Sequence, residues 1–288
     1  MLQGAFAGLA AGGVYAVIAV CLTLMAQLVR VINFSQAAIG MFGAFLAVSF
    51  AGMGIPQVPA IALGIISGAV ISAALGWIIA TWLPEASVSA RSAVTVAALL
   101  LLVSISFILF GTKPKTFRAL FSGPAFTFEG VVISQVTVVM VILAVVVAIA
   151  AKLVLRKTSI GVKLRAIADR PVAAELLGVP VKPLAIGVWA VTGIIVGIAI
   201  AVVAPTQTSD AVSLSMLVIS ASAAALLGGF KRLDLALIGG LLLGMAQGAA
   251  AQFSQLILLR DWIPLVVIVV FLLWNQRREV WDLSLIHI

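Results

Sequence analysis

Long apolar runs, parted by short clusters of glycine, proline and charge, set the pattern of this chain. Residues 131–151, VVISQVTVVMVILAVVVAIAA, hold no ionisable group and reach the ~20 residues that a helix needs to cross a ~30 Å hydrocarbon core. The same reading predicts helices at about 4–29, 34–52, 57–82, 92–110, 131–151, 184–204, 212–230, 233–252 and 263–276. GMGIPQVP (52–59) and APTQTSD (204–210) are glycine, proline and polar turns, and KRLD (231–234) is a charged one. The last run is short and carries Pro264 near its start, so eight spans plus a re-entrant or tilted segment is the alternative count. The runs lack the apolar–polar alternation of barrel strands. The predicted fold class is therefore an all-α polytopic membrane protein with eight to nine transmembrane helices, forming one domain over residues 1–282.

Composition agrees: hydrophobic residues make up 64% of the chain and charged ones 9%, where a soluble protein carries roughly a quarter. The start, MLQGAFAGLAAGGVYAV, has no basic segment before its apolar run, so no cleavable signal peptide is expected. Cys21 falls inside the first run and reads as a small hydrophobe.

The net charge of +8 is explained by orientation, because basic residues accumulate in cytoplasmic loops. With the 152–183 loop inside, 13 Lys and Arg are cytoplasmic and 4 are external. The amino terminus is then outside and the carboxyl terminus inside, with Lys113, Lys115 and Arg118 running against the rule. No basic patch is interleaved with aromatics, so nucleic acid is not an expected partner.

Small residues recur at four-residue spacing: Gly4, Gly8 and Gly12; Gly64 and Gly68; Gly193 and Gly197; Gly240, Gly244 and Gly248. Such stripes let helix backbones approach closely in lipid. They predict tight packing within the bundle.

What the spans lack bears on the energy source. All nine carboxylates, from Glu85 to Asp282, lie in loops or at helix ends, and the one histidine, His287, is next to last. Proton coupling needs a titratable group at membrane depth, so it is not expected. The chain has no G-x-x-x-x-G-K-[ST] loop for ATP, no H-E-x-x-H or G-x-S-x-G motif and no Cys/His cluster. Catalytic residues and metal ligands are accordingly not expected, and no cofactor is assigned to this chain. A channel, a membrane scaffold, and a pore driven by another protein remain.

One segment stands apart. Residues 155–179, LRKTSIGVKLRAIADRPVAAELLGV, gather seven of the chain's 26 charges. DRPVAAELLG predicts a short helix, with Asp169 capping its start, Pro171 in its first turn and Gly178 ending it in the left-handed conformation. Val172, Ala173, Ala174 and Leu176 supply apolar surface, and Lys163 and Arg165 upstream suit acidic groups or lipid phosphates. Two readings follow: an interfacial helix on anionic headgroups, or a helix that docks a cytoplasmic partner.

TSIGVKLRAIADRPVAAELLGV (158–179) resembles the cytoplasmic loop of permease subunits from the branched-chain amino-acid ABC importers. Thr158, Gly161, Arg165, Ala166, Ala174, Leu176, Gly178 and Val179 fit that family's pattern. Residues 8–45 are similar to its opening block and residues 221–247 to its late glycine-rich block. Gln36 stands where many members carry His, and Ala38 where a small or acidic residue is usual. The tail also departs, since LSLIHI matches a translation of a sequencing-library adapter, which makes residues 283–288 a suspected non-native tail.

The resemblance implies a multi-pass protein of the bacterial plasma (inner) membrane. It implies a coupling helix that meets two cytoplasmic ABC ATPase subunits, where ATP and Mg would bind. It implies a second, related permease subunit, a periplasmic or lipid-anchored substrate-binding protein, and an amino-acid substrate. Lys163, Arg165, Ala166, Asp169, Ala174, Glu175, Leu177 and Gly178 are the expected ATPase-coupling residues.

The substrate pathway is expected at Tyr15, Asn33, Phe34, Ser35, Gln36 and Met41. Asn33, Ser35 and Gln36 offer donors and acceptors to a zwitterion without a fixed charge, while Asn33 and Ser35 equally suit caps for the second helix. Thr95, Ser104, Ser106, Thr192, Ser213 and Ser215 suit either interhelical hydrogen bonds or a polar route. The competing function is an ATP-independent channel or facilitator for small polar solutes such as urea or amides, and a third is a scaffold.

Overall fold

The computed structural model describes residues 2–128, 131–207, 210–253, 255–256 and 259–283. The suspected tail from Ser284 onward, with His287, lies outside the described residues. Helices dominate: α1 (Leu2–Leu28), α2 (Gln36–Gly52), α3 (Gln57–Trp82), α4 (Val88–Phe110) and α5 (Gln135–Lys157), then α6 (Ser159–Asp169) and α7 (Pro171–Leu176). They continue with α8 (Val181–Val203), α9 (Ala211–Leu227), α10 (Leu233–Ala250) and α11 (Ile263–Leu283). Among the described residues six stretches are long and apolar enough to cross a membrane, namely α1, α3, α4, α5, α8 with its following turn, and α10, and two shorter apolar helices, α2 and α9, join them. A polytopic α-helical membrane protein is the fold.

Each expected helix is present, with three differences. A hairpin of β1 (Pro124–Phe128) and β2 (Val131–Ser134) takes the first residues of the expected 131–151 span. Its antiparallel register pairs Thr127 with Val132 and Phe126 with Ile133, so β-branched residues at the mouth of an apolar run pair as strands before the helix begins. Ser134 makes the switch, its hydroxyl accepting the Thr137 N–H at 3.2 Å to cap α5. At its other end α5 runs on to Lys157, which shortens the expected loop. Much of that loop is helical as well, in α6 and α7.

α1 lies at the centre, with every residue from Val14 to Leu22 buried. It packs most extensively against α10, and the glycine stripes explain how. A methyl group added at Gly8 would run into the Gly244 carbonyl, and one at Gly248 into the Gly4 carbonyl. Hydrophobic burial gives little driving force between helices in lipid, so close backbone contact and dispersion hold this pair. α3 and α8 pair likewise, Gly193 seated on Ser72 and Ser72 Oγ donating to the Trp189 carbonyl at 2.6 Å.

The partnerships of α1–α3 recur in α8–α10. α1 packs on α10 as α8 packs on α3, α2 lies on α8 as α9 lies on α1, and α4 flanks α2 as α11 flanks α9. Both middle helices have 17 residues, or ~25 Å of rise at ~1.5 Å per residue, short of a ~30 Å core. Residues 29–35, the non-helical link between α1 and α2, are buried at Val31, Asn33 and Ser35.

Candidate functional site

The charged segment forms an elbow of α6 and α7 at one end of the bundle. Thr158 makes its first bend: in extended conformation, its Oγ1 donates to the Val154 carbonyl at 2.7 Å and accepts the Gly161 N–H at 3.0 Å. One hydroxyl thus closes α5 and opens α6. Gly161, Leu164 and Ile167 form the buried stripe of α6, and Gly161 lies against the backbone of α5 at Val154 and Leu155. Lys163, Arg165 and Asp169 are exposed and Ala166 is half-buried. Arg165 Nε reaches back to the Gly161 carbonyl at 3.4 Å.

The expected cap by Asp169 is not formed. Asp169 is the last residue of α6, so its backbone is already helical, and Arg170 takes the cap position of α7 without a side-chain hydrogen bond. Pro171 opens α7 as expected, and Gly178 has the left-handed φ of +80°. α7 is arranged against self-packing. Its small Ala174 is buried, while Val172 (72% exposed), Leu176 (85%) and the following Leu177 (84%) face outward beside the exposed Glu175. The coupling residues expected from sequence are thus brought onto one elbow, with all but Ala166 and Ala174 exposed.

Sequence reasoning missed one member of this region. Arg30, just past α1, places Nη2 2.8 Å from the Ala168 carbonyl and 2.9 Å from the Asp169 carbonyl, with Nε 3.2 Å from Ala168. A lone arginine immediately before a polar turn was the available signal, but its targets are backbone atoms. A cavity of about 310 Å³ opens beside it, between the ends of α1, α3 and α8 and the elbow, with Glu85, Arg91, Glu175 and Lys182 among its charged lining and Trp189 on its wall.

Asn33, Ser35 and Gln36 form a buried polar knot. Asn33 Oδ1 accepts from the Ser35 N–H at 3.1 Å and from Ser35 Oγ at 2.6 Å, and Asn33 Nδ2 donates to Gln36 Oε1 at 2.6 Å. Ser35 occupies the cap position of α2 but has helical backbone angles and caps nothing; its proton goes to Asn33. Neither residue therefore serves as the conventional cap that sequence suggested. α4 supports the knot from outside: Ser92 Oγ accepts the Ile32 N–H at 3.1 Å, and Thr95 Oγ1 accepts the Phe34 N–H at 3.0 Å. Among the described residues Gln36 Nε2 and Ser215 Oγ are buried without a hydrogen-bond partner.

The remaining pathway candidates are separated. Met41 is buried and its sulfur accepts from Ser106 Oγ at 3.6 Å. Tyr15 lies on a different cavity, of about 380 Å³, with Thr137, Gln207, Gln247 and Arg260. The serines and threonines take different roles: Thr192 Oγ1 donates back to the Val188 carbonyl within α8 at 2.9 Å and lies 3.5 Å from the Met25 sulfur of α1, while Ser104 is exposed. Among the described residues no three His, Cys, Asp or Glu converge.

Residues 4–273 match the family described as branched-chain amino acid transport system / permease component. A probable branched-chain amino acid transport permease protein LivH from Methanocaldococcus jannaschii is 28% identical over 149 residues, which is 52% of this chain and 46% of that protein. The match thus spans less than half of that relative. A solved structure, PsaBC from Streptococcus pneumoniae in complex with Fab, aligns over 92% of this chain and 88% of its own at 14% identity and a TM-score of 0.47. With the family matched over nearly its whole length, this chain is a membrane-embedded permease component of the branched-chain amino acid transport family.

Proposed function

We propose that the chain is the transmembrane subunit of an ATP-driven ABC importer for branched-chain or similar small amino acids. Substrate arrives from an external binding protein, and two cytoplasmic ATPases, which hold the ATP and Mg, grip the α6–α7 elbow. A second, related permease subunit completes the pore. The protein lies in the bacterial inner membrane with its amino terminus outside and the elbow inside, the orientation in which most Lys and Arg are cytoplasmic.

The observation that carries this reading is the exposure of Val172 and Leu176 on the six-residue α7, and of Leu177 just after it, on an elbow that also exposes Lys163, Arg165, Asp169 and Glu175. Large apolar side chains left exposed on a segment that also exposes charge suit a protein contact. The polar knot at Asn33, Ser35 and Gln36, with Phe34 and Met41, supplies a weakly polar route without fixed charge, and Tyr15 serves the route's other end. ATP-driven closure of the ATPases moves the elbow and switches the route between its two sides.

Reconstitution in proteoliposomes with the ATPases and binding protein tests this. Substrate-stimulated ATP hydrolysis is expected, and Arg165→Glu is expected to lower it about tenfold by reversing an exposed charge of the elbow. Uphill transport by the chain alone would overturn the reading.

A further inference from the structure

α6 ends with backbone carbonyls that its own helix leaves without donors. The Arg170 N–H returns to the Ala166 carbonyl, Pro171 has no N–H for the Ile167 carbonyl, and the chain then turns into α7, which leaves the carbonyls of Ala168 and Asp169 at the open end of α6. These carbonyls carry the negative end of the helix dipole. Arg30 meets both, with three contacts of 2.8, 2.9 and 3.2 Å from one guanidinium. Its backbone sits at φ +54°, a conformation uncommon for a residue with a Cβ. The chain turns sharply out of α1 at the very residue that reaches α6.

From Arg30 the chain continues through non-helical residues 31–34, with the Val31 N–H on the Met25 carbonyl of α1 and the Ile32 and Phe34 N–H groups on Ser92 and Thr95 of α4, and enters the Asn33, Ser35 and Gln36 knot. Only Val31 and Ile32 separate Arg30 from Asn33, and at no more than ~3.6 Å of reach per residue so short a link has little slack. A shift of α6 that carries its terminal carbonyls therefore pulls on the start of α2 through a single side chain. α6 otherwise meets the bundle through α5 and the end of α1.

We propose that Arg30 is the positioning residue that links the elbow to the polar knot, so that movement of α6 is delivered to Asn33, Ser35 and Gln36. This rests on the elbow being the site where the ATPases act. Arg30 itself touches neither ATPase nor substrate in this scheme. Its planar fork, which spans two carbonyls, is what lysine cannot reproduce, because an ammonium is a point donor on a flexible stem.

The test has two arms on the full chain. In the first, the chain alone in nanodiscs is followed by hydrogen exchange in a double-mutant cycle. Leu164→Ala, which loosens α6, is expected to speed exchange of residues 32–36 about tenfold with Arg30 present and to leave them unmoved in an Arg30→Ala background. An equal response in both backgrounds would overturn the proposal. In the second, proteoliposomes with the ATPases are expected to retain ATPase capture and hydrolysis with Arg30→Ala while solute moved per ATP falls about tenfold, and Arg30→Lys restores only part. An unchanged ratio would also overturn it. Should Arg30→Ala not fold, Arg30→Lys, which keeps the charge, carries both arms. If the wild-type chain captures no ATPase, the functional reading fails, and the exchange cycle still decides the link.

Discussion

The α1–α10 interface and the α6–α7 elbow use opposite ways of presenting surface. At the first, Gly4, Gly8 and Gly12 meet Gly240, Gly244 and Gly248, and backbone touches backbone with no room for a Cβ. At the second, Ala174 is hidden while Val172, Leu176 and Leu177 stand out. Both present apolar residues, although the elbow carries charge beside them. What separates them is side-chain size against burial: small residues inside make a permanent joint, whereas large residues outside make a surface that waits for something. The first serves stability, and the second is the surface to which the proposed function assigns the ATPases.

The largest expected effect breaks the permanent joint. Gly8→Leu puts a side chain where the Gly244 carbonyl and Gly248 Cα lie, and both are backbone that has nowhere to go. Overpacking typically costs about 1–3 kcal/mol and here should reach at least the top of that range, read as loss of a monodisperse peak and a lowered Tm in detergent. Next comes the elbow. Leu176→Asp with Leu177→Asp should weaken ATPase capture more than about tenfold, as loss of a central apolar anchor does. The same double variant should change stability by less than about 0.5 kcal/mol, because both side chains are exposed, so Tm stays while capture fails. A fall in Tm equal to that of Gly8→Leu would erase the distinction between the two surfaces.

The smallest effect concerns a third kind of contact. Asp210 caps α9, its Oδ1 accepting the Val212 and Ser213 N–H groups at 3.0 and 2.9 Å. Partial burial pushes its carboxyl up, but the Ser213 hydroxyl and these N–H groups outweigh it and hold the carboxyl below its ordinary value. A depressed carboxylate stabilises the fold at pH above its ordinary range, and that contribution is lost as pH falls through the folded value. Asp210→Ala should therefore cost about 1 kcal/mol at neutral pH, with the gap in Tm between wild type and variant closing in acid.

Particular residues show why the site was only partly legible in sequence. Pro171 and Gly178 acted as expected, because one lacks an N–H and the other lacks a Cβ, whatever surrounds them. Asp169 did not, because its role depended on whether α6 existed, and the amphipathic stripe of Gly161, Leu164 and Ile167 was too short to stand out from a charged loop. Asn33 and Ser35 fit a cap in sequence. Burial beside Gln36 gave their polar atoms better partners in each other.

Sequence by itself determined the helices, their approximate limits and the oddity of the 155–179 segment, because run length, charge and turn chemistry act on near neighbours. It also identified the glycine stripes, though not that the two end stripes seat on one another. Tertiary structure alone decided that pairing, the placing of Tyr15 on a cavity away from the Asn33 knot, and the reach of Arg30 to Ala168, 138 residues along the chain. The reason is physical: carbonyl oxygens and glycine Cα atoms are the partners in these contacts, and every residue has a backbone, so no pattern of side chains announces which ones will meet.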